Sequence, residues 1–198
     1  MQEKDKFLKK ISYILLVIFF LIPHKLVAQK VEISELFNYN KSLKNSSIQF
    51  IQTDGQTVEE GIVYIGNNRI KIDYEKPQRL TIVLSKNKGM YINHNLKEAQ
   101  FFNTNKSFIK IFFSIFTMGD FIDTANIDIF SDEIIIKNEF EINDNFYKTE
   151  IIYENEPIKI RKIKILENEK NLEMGFFNHN DLDVFTKNFF ALLNPYIN

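Results

Sequence analysis

From Ser46 onward, apolar residues recur at every second position, a period of two that fits only half-buried β-strands over most of the chain. Arg69–Tyr74 shows it most cleanly, with Ile70, Ile72 and Tyr74 on one face and Arg69, Lys71 and Asp73 on the other. Strands are expected at Ser46–Thr53, Gly61–Ile65, Arg69–Tyr74, Leu80–Leu84, Met90–Asn93 and Ala99–Asn103, with Asp54-Gly55 and Gly66-Asn67-Asn68 as turns. The second half repeats the pattern. Ile134, Ile136, Phe140 and Ile142 share one parity, Tyr147, Thr149, Ile151 and Tyr153 another, and Leu172, Met174 and Phe176 align again. Ile158 and Ile160 fall on even positions but Ile163 and Ile165 on odd ones, so the faces swap across Arg161-Lys162 and a β-bulge is predicted there. About ten to eleven strands with regular turn signals predict an antiparallel sheet curled into a barrel or part-barrel.

Three segments break the alternation. Val31–Lys44 reads as a first helix, with Ile33, Leu36, Phe37 and Leu43 near helical spacing. Ser107–Gly119 reads as a second, opened by Ser107 as N-cap and stopped by Gly119. Its polar residues Lys110, Ser114 and Thr117 form one narrow stripe, and every other position is Phe, Ile or Met. A helix this apolar cannot lie on a surface with one face buried; it must be enclosed, fill a cavity or meet lipid. Leu182–Leu193 fits a helix or a turn followed by a strand equally well.

The N-terminus has the three parts of a secretory signal: Lys4, Lys6, Lys9 and Lys10, then the apolar run Ile11–Ile22, then Pro23 and a small residue at Ala28. As a helix that run spans about 18 Å, short of the roughly 30 Å hydrocarbon core. Cleavage near Ala28 is therefore expected, leaving residues 29–198 as one domain in the periplasm, with no Cys to carry a lipid anchor. Residues 1–28 hold five Lys and two acids, so of the formal net charge of −1 the remainder carries −4. That balance gives no footprint for nucleic acid. The absence of Cys removes disulfides, zinc ribbons and thiol nucleophiles together. His94 and His179 are isolated and fit no metal motif, and no nucleophile elbow or phosphate loop is present. No enzyme activity, cofactor or metal is expected. His94, in Asn93-His94-Asn95, is expected on a turn surface, and Lys159, Arg161, Lys162 and Lys164 on a solvated strand face or a docking patch.

A curled sheet has a concave face, and if its side chains leave that face hollow it suits an apolar ligand. Each buried methylene is worth about 0.8 kcal/mol, so a sixteen-carbon acyl chain could gain roughly 12 kcal/mol. A helix that fills the hollow when empty and swings out when loaded would weaken net binding enough for release.

Residues 46–104 are similar in order and spacing to the outer-membrane lipoprotein carrier family (LolA). The likeness rests on Phe50-Ile51-Gln52, Asp54-Gly55, Gly61, Arg69–Tyr74 with Pro77 beyond it, Thr81–Ser85 and Met90–Asn93. The resemblance implies an open antiparallel half-barrel with an α-helical lid over an apolar cavity. It also implies a periplasmic chaperone that takes acylated lipoproteins from an inner-membrane ABC transporter and delivers them to an outer-membrane receptor, acting as a monomer. In that family a basic residue near a turn helps hold the lid closed. The turn here is Gly66-Asn67-Asn68, with Arg69 displaced from the pattern. The residues expected to meet acyl chains are Phe50, Ile70, Ile72, Tyr74, Ile82, Leu84, Phe108, Phe112, Ile115 and Phe116. Two rivals use the same scaffold: an envelope-stress sensor or interaction module, for which a second domain would be expected, and a periplasmic binder of free lipids.

Overall fold

The computed structural model describes residues 33–106, 108–117, 120–181 and 184–197, so the segment read as an export signal lies outside the described residues, as do Ser107, Gly119 and Leu182. Eleven strands form a single antiparallel sheet: β1 (Ser46–Thr53), β2 (Val58–Gly66), β3 (Arg69–Lys76), β4 (Leu80–Leu84), β5 (Gly89–Asn93), β6 (Glu98–Phe102), β7 (Asn126–Ile129), β8 (Glu133–Ile142), β9 (Asn145–Glu154), β10 (Lys159–Glu167) and β11 (Lys170–Asn180). The helices are α1 (Ile33–Ser42), α2 (Ile109–Thr117) and the single turn α3 (Asp120–Asp123).

The strand order is β6-β5-β4-β3-β2-β1-β11-β10-β9-β8-β7. β1 to β6 meander outward in one direction, and β7 to β11 meander back until β11 pairs with β1. The edges β6 and β7 do not pair, so the sheet is an open half-barrel rather than a closed barrel. This order forces one long connection. After β6 the chain must travel from one edge to the other, and residues 103–125, which include α2 and α3, make that crossing. The apolar helix therefore lies across the open side as a lid.

Local chemistry sets the register. The Asp54 carboxylate accepts from the backbone N–H of Gln56 (2.9 Å) and Thr57 (2.8 Å), which closes the β1–β2 turn. Gly61 faces Phe50 across the pair, and a Cβ there would collide with the Asp73 carbonyl oxygen, so only glycine lets β2 and β3 meet at this point. The predicted bulge is present: the β9–β10 register shifts between Ile160 and Lys162. Its consequence is also as expected, with Ile160, Ile163 and Ile165 all buried on one face despite their unequal parity.

The core lies on the inner face. Ile48 and Phe50 of β1, Val63 and Ile65 of β2, Ile70 and Ile72 of β3, Leu84 of β4 and the rows Ile134/Ile136, Ile151/Tyr153 and Met174/Phe176 are buried there with Leu36 of α1. A second, smaller cluster occupies the outer face of β4 and β5, where Val83, Met90 and Ile92 are covered by Phe190 and Leu192. Those two belong to residues 184–197, which are neither helix nor strand but an extended strap with two turns. The strap thus departs from both conformations expected over Leu182–Leu193. It follows no period because its contacts are set by the sheet beneath it.

Candidate functional site

The expected acyl-contacting residues come mainly from strands whose inward parity the topology fixes. Ile70, Ile72 and Tyr74 of β3 pair across to Leu84, Ile82 and Leu80 of β4, which puts both rows on the inner face. Phe50 lies beside them, its ring edge-on to Tyr74 at 5.2 Å. From the lid, Phe112, Ile115 and Phe116 are buried in the same cluster, which also includes Phe50, Ile70, Ile72 and Leu84, with Tyr74 and Ile82 packed against it. Phe108 is the exception. It precedes α2, is 36% exposed and stands with Tyr147, Ile165 and Leu172 around a separate cavity of ≈ 170 Å³. Sequence reasoning passed over α1 and the second-half strands. Phe37 and Tyr39 reach the cluster from α1, Ile111 and Phe113 from the lid, and Tyr153, Met174 and Phe176 from below. The parity signal for Met174 and Phe176 was already present in the sequence.

The hollow is filled in this structure. Five side chains of α2 (Ile111, Phe112, Phe113, Ile115 and Phe116) are buried against the sheet. Phe116 sits edge-on to Phe176 at 5.8 Å and 4.9 Å from Phe112. The apolar face is thus occupied by the chain's own helix, the filling arrangement that the sequence reading gives for the hollow without ligand.

How that helix is held is the notable feature. Ser114 Oγ donates to the Ile111 carbonyl (2.8 Å) and Thr117 Oγ1 to the Phe113 carbonyl (2.7 Å), so both hydroxyls of the polar stripe are satisfied within the helix, and Lys110 is exposed. Among the described residues, α2 makes no hydrogen bond or ion pair to another strand or helix. The tethers lie on either side of it. Before α2, Thr104 Oγ1 donates to the Lys86 carbonyl (2.9 Å) and Asn143 Nδ2 to the Lys106 carbonyl (3.0 Å). After it, Asn138 Nδ2 donates to the Phe121 carbonyl (3.0 Å) and to Thr124 (3.0 Å).

Helix α1 is fixed differently. The Tyr39 hydroxyl accepts the Ile160 N–H at the bulge (3.0 Å), and burial pushes its pKa up to about 12, against a lowering by that bond. The Tyr153 hydroxyl donates to Asn40 Oδ1 (3.4 Å), and burial raises its pKa further still. Inside the cluster the Tyr74 hydroxyl donates to Gln52 (3.1 Å), whose amide in turn donates to Glu59 (2.8 Å). Desolvation raises the pKa of both Tyr74 and Glu59.

Three other expectations are resolved. Arg69 points to the outer face, where it lines a cavity with Phe185 and Phe190 of the strap, so it cannot latch the lid. His94 is more than turn surface: Nε2 meets Thr81 Oγ1 (2.9 Å) and Nδ1 meets the Tyr196 hydroxyl (2.8 Å). Because Thr81 donates to Asp73 (2.6 Å), the imidazole donates through Nε2 and accepts from Tyr196. Three of the four basic residues on β10 are paired, with Arg161 bonded to Glu154, Lys162 3.8 Å from Glu173 and Lys164 2.7 Å from Glu150. A broader cleft of ≈ 760 Å³ runs along β8 to β10, lined by Lys137, Lys148 and Lys164 with Glu139, Glu150 and Leu166. Among the described residues, no group of three or more His, Cys, Asp or Glu converges as metal ligands, and no helix is long and apolar enough to cross a membrane.

No family model and no curated protein matches the chain. Solved structures do. An uncharacterized conserved protein from Thermus thermophilus superposes with a TM-score of 0.53 at 8% identity, covering 82% of this chain and 94% of that one. LprF from Mycobacterium bovis gives 0.33 at 10% identity, over 74% and 91%, and PNGF-II gives 0.35 at 9% identity, over 72% of this chain and 29% of that one. The likeness to the Thermus protein is one of fold alone.

Proposed function

We propose that this chain is an exported, non-catalytic carrier of acyl chains: a periplasmic chaperone that receives acylated lipoproteins from an inner-membrane ABC transporter and passes them, as a monomer, to an outer-membrane receptor. The supporting observation is the lid helix. Among the described residues it meets the concave face through apolar contact, with its two hydroxyls satisfied internally. Displacing it leaves no orphaned hydrogen-bonding partner on the sheet, so an acyl chain can replace it apolar group for apolar group.

The magnitudes agree with reversible exchange. Burying a Phe or Ile side chain is worth about 1.5–3 kcal/mol, so the five from α2 contribute roughly 7–15 kcal/mol as an upper bound. An acyl chain of sixteen carbons gains roughly 12 kcal/mol. Near-equal terms let cargo be taken up and surrendered, and they keep the empty protein from exposing its hollow. Phe50, Ile70, Ile72, Tyr74, Ile82 and Leu84 would form the floor under the chain, with Phe112, Ile115 and Phe116 turned to its far side.

The test is release of a lipoprotein from inner-membrane vesicles by the purified chain. A soluble one-to-one complex is expected. Release no greater than with buffer alone would end the carrier reading.

A further inference from the structure

One opening into the filled hollow already exists. Between the C-terminal end of α1, the end of α2 and the β2–β3 turn lies a notch of ≈ 200 Å³. Its floor is apolar, made by Phe37, Ile115 and Phe116, the last two from the lid itself. Its rim carries Lys41 and Lys44, and no acidic residue lines it.

Several cations of the sheet are matched by acids, as in Lys71–Asp73 (2.8 Å), Lys137–Asp128 (3.1 Å) and Lys164–Glu150 (2.7 Å). Among the described residues, neither Lys41 nor Lys44 has an acidic partner. Lys41, in the last turn of α1, is accounted for in part by the helix dipole. Lys44 lies beyond the helix and is not. The negative end of α1 amounts to about half a charge, so two full positive charges leave the rim cationic. Asn40 adds a donor: its carbonyl oxygen is spent on Tyr153, which leaves its amide N–H groups available.

An apolar floor under an unpaired cationic rim matches an amphiphile with a negative group at the head of its chain. We propose that this notch admits the ligand and retains its head end, and that the preferred ligand carries a carboxylate or phosphate beside the acyl chain. This rests on the acyl-chain part of the reading above and departs from its lipoprotein part, whose ester- and amide-linked chains carry no such anion, by naming the charge of the ligand and the place of its head group. The tail runs inward past Ile115 and Phe116 as α2 gives way; the anion stays with Lys41, Lys44 and Asn40.

The test is displacement of a fluorescent acyl probe from the purified chain by dodecanoate, by its uncharged methyl ester and by dodecyl phosphate, with inorganic phosphate alone as a fourth competitor. Both amphiphilic anions should compete about five- to tenfold better than the ester, the scale of two exposed charge-assisted contacts, and the gap should narrow with added salt. The exposed double variant Lys41→Gln/Lys44→Gln should bring the anions to the level of the ester and leave the ester unchanged. Equal competition by ester and anions, or a double variant that weakens all three alike, overturns the proposal. So does displacement by inorganic phosphate as strong as by dodecyl phosphate, which would mark a plain anion site. Failure of every amphiphile to compete would instead remove the acyl-chain reading itself, and this proposal with it.

Discussion

Phe113 separates the stability of the lid from the affinity for cargo. It is 3% exposed in the inner cluster but was not among the side chains expected to touch an acyl chain. Phe113→Ala removes a buried ring from the underside of α2, a change that costs about 3–5 kcal/mol in well-packed cores. The hydrogen bond from Thr117 to the Phe113 carbonyl involves only backbone on the acceptor side and survives the substitution. If an acyl chain takes the space of α2, that cost falls on the empty form and not on the loaded one. The destabilisation then reappears as tighter binding. Even a third of it, about 1–1.5 kcal/mol, is close to tenfold in affinity.

Two measurements on the same protein decide the matter: the urea midpoint, and the affinity for a fluorescent acyl probe. The midpoint should fall while the affinity rises by about tenfold or more. A midpoint that falls with affinity unchanged or weakened would show that the helix and the ligand do not compete for one space, and the exchange mechanism would be refuted.

Four further outcomes follow from the same contacts. Phe112→Glu puts an unpaired carboxylate at a position 4% exposed and packed on Phe116, so it should both abolish cargo uptake and free the lid, seen as new binding of a hydrophobic dye; retained uptake would take the helix out of the site. Phe190→Ala uncovers Val83, Met90 and Ile92 on the outer face and should lower stability by about 1–3 kcal/mol with acyl affinity unaltered, since the strap lies on the other side of the sheet from the lid. Gly61→Ala drives a methyl group into the Asp73 carbonyl and should disrupt β2–β3 pairing, read as lost amide protection in those strands; normal protection would contradict the close approach. The His179 pKa is lowered by desolvation first and by Arg161 and Lys159 second, with Asp181 opposing, so the folded state binds its proton less readily than the unfolded chain at about 6.5. Its contribution is complete above that pH and is lost as pH falls toward the folded value, so His179→Met should flatten the acid side of the stability profile, whereas an unchanged slope would assign the acid loss to other groups.

The parity of side chains was legible because a half-buried sheet imposes a period of two and a wrong face costs a whole row of burial. Ile70, Ile72 and Tyr74 could be placed inside on that ground, and the bulge at Arg161 followed from a single break in the count. What the sequence could not show was closure. Nothing in the alternation says that β11 returns to β1, and only that pairing makes residues 103–125 cross the open side. Phe108, one residue before α2, lies apart from Phe112, Ile115 and Phe116, beside Tyr147, Ile165 and Leu172 of the same inner cluster, a placement that composition alone does not show. The strap was opaque for a different reason. Phe185, Phe189 and Phe190 stack on one another and on Tyr64, contacts between positions with no common spacing, and Gly66 is bare because Phe190 lies over it.

Both faces of the sheet are thus covered by segments of the chain itself, and the two covers are held in different ways. The strap is joined to the sheet by a relay of directed bonds, from the Tyr196 hydroxyl through His94 and Thr81 to Asp73, and by Lys71 over the Phe189 ring at 4.4 Å. Lifting it would take the Tyr196 hydroxyl from the half-buried His94, a loss of about 1–3 kcal/mol with no ligand to restore it. Among the described residues, α2 has no such bonds to lose. Its directed contacts sit at Thr104, Asn143 and Asn138, outside the helix, where they hold the two ends of the crossing while the helix between them is retained only by area. Area is the one interaction that an acyl chain can supply in return. On the proposed carrier reading, that difference points to α2, rather than the strap, as the element that would exchange with an acyl chain.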